Sequence, residues 1–260
     1  MAGQPRRVAD DRVRHSVTIR VGVGGWTFAP WRGSFYPDGL AQTKELAFAS
    51  HALTTLEVNG TFYGTMSPAT YAKWHAETPD TFVFSLKGPR FAVNRRVLAE
   101  AGESIARFVN SGIDRLEDKL RPILWQLAAT KRFDPDDIAA FLSLLPARIG
   151  DRPLRHALEP RHESFGDPKL AEIAAAANVA IVYADADQYP CFPDQTADFT
   201  YARLQNGQDA EPVAYADAAL DGWAAQAHDW GQGGRDAFVY FIPGGKVRAP
   251  AAAMSLIARL

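Results

Sequence analysis

The stretch HALEPRHESF, from His156 to Phe165, decides how the rest of the chain is read. Its first residues complete a short apolar-containing run, Pro153 to Leu158, of the length and character of a buried strand. Glu159, Arg161, His162, Glu163 and Ser164 then crowd the seam before the helical pattern of Lys169 to Ala177. Folding alone does not call for so many charged and hydrogen-bonding groups at one strand end. In α/β proteins, the carboxyl ends of strands face the cleft where reactive side chains collect.

The same alternation of strand and helix recurs on both sides of this seam. Upstream, strand patterns are expected at Thr18 to Val23, Thr54 to Val58, Thr81 to Leu86 and Pro122 to Leu127. Helical patterns are expected at Lys44 to His51, Pro68 to Glu77 and Asp134 to Leu145, with Ser67 and the acids after Asp134 as start signals. Gly88 to Asn110 is too long for a simple turn and reads as an elaborated loop plus helix, a lid of basic character carrying Arg90, Arg95 and Arg96, or a solvated helix face. Downstream come strands at Val179 to Ala184, Phe199 to Leu204 and Ala237 to Ile242, and helices at Leu220 to Trp230 and Ala251 to Leu260. Pro190 and Pro193 make a regular helix in Ala186 to Ala197 unfavourable. The pattern predicts an α/β fold, a TIM-like (β/α)8 barrel over residues 18–260 as one domain, irregular between strands 6 and 7. An open doubly wound sheet is the competing architecture.

Composition narrows the function classes. The chain has 260 residues, 47% hydrophobic and 22% charged, with a formal net charge of -2, which suits a globular protein and gives no overall electrostatic drive toward nucleic acid. Cys191 is the only cysteine, so no disulfide can form within the chain, and a reducing cytoplasmic setting is expected. No run approaches the roughly 20 apolar residues of a membrane span. Residues 1–17, with Arg6, Arg7, Arg12 and Arg14, read as a flexible arm, with nucleic-acid contact as its alternative.

A barrel would gather Glu57, Asn59, Lys87, Gln126, Glu159, Arg161, His162, Asp185 and Arg203 at its carboxyl-terminal mouth. Strand parity already places Glu57 with Asn59, Ser85 with Lys87, and Tyr201 with Arg203. Glu159, Glu57 and Asp185 are the candidates for acid–base chemistry. Lys87, Arg161 and Arg203 are suited to an anionic group, with Lys87 also able to form a Schiff base; Asn59, Gln126 and His162 add polar contacts, and Trp26 and Tyr63 a stacking wall. The competing reading is an ion-pair network in which these acids and bases satisfy one another without a substrate. A lone histidine among scattered carboxylates, with no HxxH or HExxH spacing, leaves metal binding and the cofactor unassigned.

Taken in order, GVGGWTFAPWRGSFYP (Gly22 to Pro37), LEVNGTFY (Leu56 to Tyr63), FVFSLK (Phe82 to Lys87), ILWQL (Ile123 to Leu127), HALEPRHESF, YARLQ (Tyr201 to Gln205) and KVRAP (Lys246 to Pro250) resemble the YecE-like family, domain of unknown function 72. The resemblance implies a TIM-like barrel and no known reaction. The chain departs from the family pattern at Pro160, at Gln205-Asn206 in place of His-Gly, and at Pro243-Gly244-Gly245 in place of an Asn-Asp pair. Three functions fit. One is an enzyme acting on a small polar, anionic or sugar-like substrate. Another is a nucleic-acid-binding or processing protein, by analogy with AP-endonuclease-like barrels. The third is a ligand-binding barrel without catalysis. The substrate and the oligomeric state are not encoded in any motif.

Overall fold

Parallel strands and helices alternate along the chain as the sequence predicts. The computed structural model describes residues 18–242 and 245–260; the N-terminal arm and Pro243-Gly244 lie outside the described residues. The barrel strands are β1 (Ile19–Gly24), β2 (Thr55–Val58), β3 (Val83–Lys87), β4 (Leu120–Gln126), β5 (His156–Glu159), β6 in two segments (Val179–Ile181 and Tyr183–Asp185), β7 (Phe199–Leu204) and β8 (Asp236–Phe241). The helices are α1 (Glu45–Ala52), α2 (Gly60–Tyr63), α3 (Pro68–Ala76), α4 (Arg90–Val93), α5 (Gly102–Val109), α6 (Pro135–Ser143), α7 (Lys169–Ala176), α8 (Asp217–Trp230) and α9 (Ala249–Ile257). Start signals act where the sequence puts them. Ser67 accepts a hydrogen bond from the Thr70 amide, and Asp134 accepts from the Asp136 and Asp137 amides, which satisfies helix N-terminal donors of α3 and α6.

Each strand pairs in parallel with the next, and β8 pairs with β1, so the sheet curls on itself. Closure falls on β6. Its first segment pairs with β5 and its second with β7, and Val182 between them donates to Leu158 O. The strand expected to run unbroken from Val179 to Ala184 is therefore interrupted. On the first segment's other edge, where β7 is absent, Thr196 substitutes for a strand: its hydroxyl accepts from Ile181 N and donates to Val179 O. Thr196 lies in the helix-free stretch between β6 and β7, which the two prolines foretell.

The fifth strand also differs from expectation. Arg152–Pro153 pairs antiparallel with Arg148–Ile149 around Gly150 (φ 55), and β5 begins only at His156. Proline has no N–H for a ladder, and glycine accommodates the left-handed turn. The elaborated segment after β3 contains two helices, α4 and α5.

Two apolar layers hold the barrel. Val83, Leu124, Ala157, Ala180, Val182, Phe199, Tyr201, Phe238 and Tyr240 fill its interior, while a larger shell packs the outer strand faces against the helices. The interior is not wholly apolar: the Tyr240 hydroxyl lies 2.6 Å from Ser85 Oγ and 2.9 Å from Thr55 Oγ1. Among the described residues no helix is long and apolar enough to cross a membrane.

Candidate functional site

Side chains that point into the barrel near the carboxyl ends of its strands meet in one ion-pair cluster. Arg203 of β7 reaches across the barrel to β2, donating from Nε to Glu57 Oε2 (3.0 Å) and from Nη2 to Glu57 Oε1 (3.1 Å). Its third nitrogen, Nη1, donates to Glu159 Oε2 of β5 at 2.6 Å. Gln126 Nε2 donates to the same oxygen at 2.9 Å, Arg161 Nε donates to Glu159 Oε1 at 2.8 Å, and Tyr201 donates to Glu57 Oε2 at 2.8 Å. Both carboxylates are inaccessible to solvent, and every one of their oxygens is engaged. This satisfies the requirement that a buried charge be paired and hydrogen-bonded.

The electrostatics follow from this geometry. Burial would raise the Glu159 carboxyl, but Arg203 and Arg161 outweigh it and hold the group below the usual carboxylate range. Arg203 is buried too, and the two glutamates push its pKa above the ordinary guanidinium value. Lys87 is treated differently. Burial, then the neighbouring charge of Arg203, lowers its ammonium to about 8 against the opposing pull of Glu57 and Glu159. Its Nζ stands 4.6 Å from the centre of the Phe62 ring. Thr61 helps to hold the strand end in place, donating to the backbone carbonyls of Val58 and Lys87.

Above the cluster opens a cavity of about 900 Å³. Arg203, Lys87, Gln126 and Arg161 line it, and so do Asn59, Trp26 and Tyr63; Glu57 and Glu159 lie beneath this cationic floor. Tyr63 is 66% exposed and free to meet a ligand face, whereas Trp26 packs edge-on against Trp74. The loop after β6 supplies Tyr189, whose ring lies 4.2 Å beneath the Arg161 guanidinium. Gln205 also lines the cavity, and its amide nitrogen is buried with no partner among the described residues.

Two predicted residues stand apart from the cluster. Asp185 accepts from Asn206 Nδ2 at 2.9 Å, and burial, the largest influence, raises its carboxyl; the cavity is lined instead by Ala186 and Asp187, which follow it. His162 Nδ1 accepts from the Ser164 amide and caps the turn after β5. The segment after β3 contributes no lining residue: Arg90, Arg95 and Arg107 border a separate outer cavity, where Arg95 is tied to Phe91 O and Ser104 and Arg107 to Glu103. Sequence reasoning did not select Tyr189, which sits in an aperiodic loop, or Tyr201 as a site residue, although strand parity places Tyr201 beside Arg203. Among the described residues, no three His, Cys, Asp or Glu side chains are grouped to hold a metal ion.

Residues 20–260 match the family described as "Protein of unknown function DUF72". A DUF72 family protein of Thermotoga maritima superposes with a TM-score of 0.74 at 19% identity, over 93% of this chain and 98% of that one. One from Enterococcus faecalis gives 0.73 at 17% identity, over 94% and 95%. A xylose isomerase-like TIM barrel/4-hydroxyphenylpyruvate dioxygenase fusion protein gives 0.52 at 15% identity, over 91% of this chain and 41% of that one. At these identities the likeness concerns the fold. None of the curated proteins compared matches the chain.

Proposed function

Because the chain belongs to the DUF72 family, whose function is unknown, we propose from its own geometry that the barrel mouth is the active site of an enzyme for a small polar substrate bearing an anionic group. One observation carries this reading. The two buried carboxylates are fully engaged, while cationic donors remain on the cavity side: among the described residues Arg161 uses only Nε, on Glu159, leaving both terminal nitrogens uncommitted, and Lys87 has no carboxylate partner. A guanidinium stacked on Tyr189 with two parallel donors is suited to a carboxylate or phosphate. Asn59, Gln126 and the unpartnered Gln205 amide offer neutral contacts, and Tyr63 offers a face for stacking.

In this reading Glu57 and Glu159 position the arginines, and the reactive group facing the substrate is Lys87, whose pKa of about 8 leaves part of it neutral near neutral pH. The single cysteine fits a reducing, cytoplasmic setting. Calorimetric titration with phosphate, glycolate and the neutral control glycerol tests the proposal. Binding of the anions, weakened by salt and by Arg161→Met, is expected. Equal binding of glycerol, or anion binding that Arg161→Met leaves intact, would overturn it.

A further inference from the structure

We propose that Lys87 is a carbonyl-capturing amine, and that the substrates of the mouth are small oxo acids, in which an aldehyde or ketone adjoins a carboxylate. This inference rests on the anionic-substrate reading above and specifies the group beside the anion. Two other lysines of the chain show what a structural lysine looks like here. Lys119, more deeply buried than Lys87, donates to His75 O, Thr78 O and Thr78 Oγ1, which anchors the end of α3. Lys131 is paired with Asp137 at 2.6 Å. Lys87 is only 8% exposed, yet its Nζ has no hydrogen-bond acceptor or carboxylate partner among the described residues and lies over an aromatic ring at the cavity floor. The carboxylates that would neutralise it are already taken by Arg203, Arg161, Gln126 and Tyr201. Withholding partners from a buried amine favours its neutral, nucleophilic form, and the adjacent guanidinium charge acts in the same direction.

The chemistry balances without a further reagent. The Nζ lone pair attacks the carbonyl carbon while the C=O π electrons move to oxygen. A proton then passes from nitrogen to that oxygen, giving a carbinolamine. Expulsion of the oxygen as water, carrying both hydrogens of the original amine, leaves a C=N bond, which a solvent proton converts to the iminium. Nothing is oxidised or reduced. The terminal nitrogens of Arg161, uncommitted and facing the same cavity, would hold the substrate carboxylate during the addition.

Reductive trapping tests the proposal on the full chain. With glyoxylate and cyanoborohydride near neutral pH, peptide mapping is expected to find carboxymethylation at Lys87 at least about tenfold faster than at Lys44 or Lys246. Inorganic phosphate should slow labelling at Lys87, as should Arg161→Met, while labelling by acetaldehyde, which lacks the anion, should fall far less in Arg161→Met, where it reports only the lost guanidinium charge that helps keep Lys87 neutral. Labelling spread evenly over the lysines would overturn the amine's role. Preferential labelling indifferent to phosphate and to Arg161→Met would overturn the oxo-acid class. If phosphate and glycolate bind but Lys87 is not trapped, carbonyl capture fails and the anionic-substrate reading stands; if neither occurs, both fail.

Discussion

Replacing Arg203 with methionine tests the ion-pair cluster most directly. The substitution removes both Arg203 donors from Glu57, leaving Oε1 without a partner and Oε2 with only Tyr201. Glu159 loses one donor and keeps Gln126 and Arg161. Breaking a buried ion pair by deleting one partner costs roughly 3–5 kcal/mol, because the remaining charge is stranded away from water. Arg203→Met should therefore lower stability by about that amount in urea unfolding at neutral pH, followed by tryptophan fluorescence. The unequal loss of donors makes a sharper prediction. Adding Glu57→Gln to Arg203→Met should restore about 1–3 kcal/mol, since a neutral amide is cheaper to bury than a stranded carboxylate. Adding Glu159→Gln should restore less. A cost for Arg203→Met below about 1 kcal/mol, or equal rescue by the two second substitutions, would refute the view that Arg203 chiefly neutralises Glu57.

Three further outcomes are expected. His156 is buried, accepts from Trp125 Nε1 and is held by burial at about 4, below its usual 6.5, so its charged form favours the unfolded chain. Its contribution is complete above pH 6.5 and is lost as pH falls toward 4, about 3 kcal/mol in all; urea midpoints measured against pH should lose this slope in His156→Gln, and an unchanged slope would refute the assignment. Thr196→Val should cost about 2 kcal/mol or more, because Ile181 N and Val179 O both lose their partner, and hydrogen exchange should quicken at the Ile181 amide. Gly22→Ala would place a Cβ 1.9 Å from Thr55 O in the neighbouring strand and should cost more than about 3 kcal/mol. Gly222→Ala, in open space within α8, should instead add about 0.5–1 kcal/mol; similar melting temperatures for the two alanine variants would contradict the packing.

Alternation along β2, β3 and β7 was enough to turn Glu57, Lys87 and Arg203 inward, because each strand mixes polar and apolar residues at a spacing of two. The sixth strand was ambiguous for the opposite reason. VAIVYA is apolar on both faces, so parity could not show that Ala184 would face the interior and Asp185 would not. The reach of Arg203 across the barrel is a matter of closure and side-chain length, which pairwise reading of strands does not contain. His162 looked reactive because imidazole is versatile; its geometry makes it a cap for the residue two places on. Family resemblance to DUF72 added the barrel with assurance and, by its nature, nothing about the reaction.

The interrupted sixth strand leaves the rim of the barrel unequally compliant. Its pairing with β5 ends at Leu158 and Ile181, and the chain then passes through Glu159 to Pro160, which has no N–H to offer a continuing ladder. Above that level, the stack of Arg161 on Tyr189 occupies the mouth where the β5–β6 ladder has stopped. Widening the rim elsewhere means parting rows of main-chain hydrogen bonds. Here no strand ladder joins the two sides at that level, and the contact at the rim is one cation on one ring, worth about 0.5–2 kcal/mol. The sector of the circumference that yields most readily is thus the one bearing the Arg161 guanidinium, so fitting a bulkier ligand and adjusting the grip on its anion become a single movement.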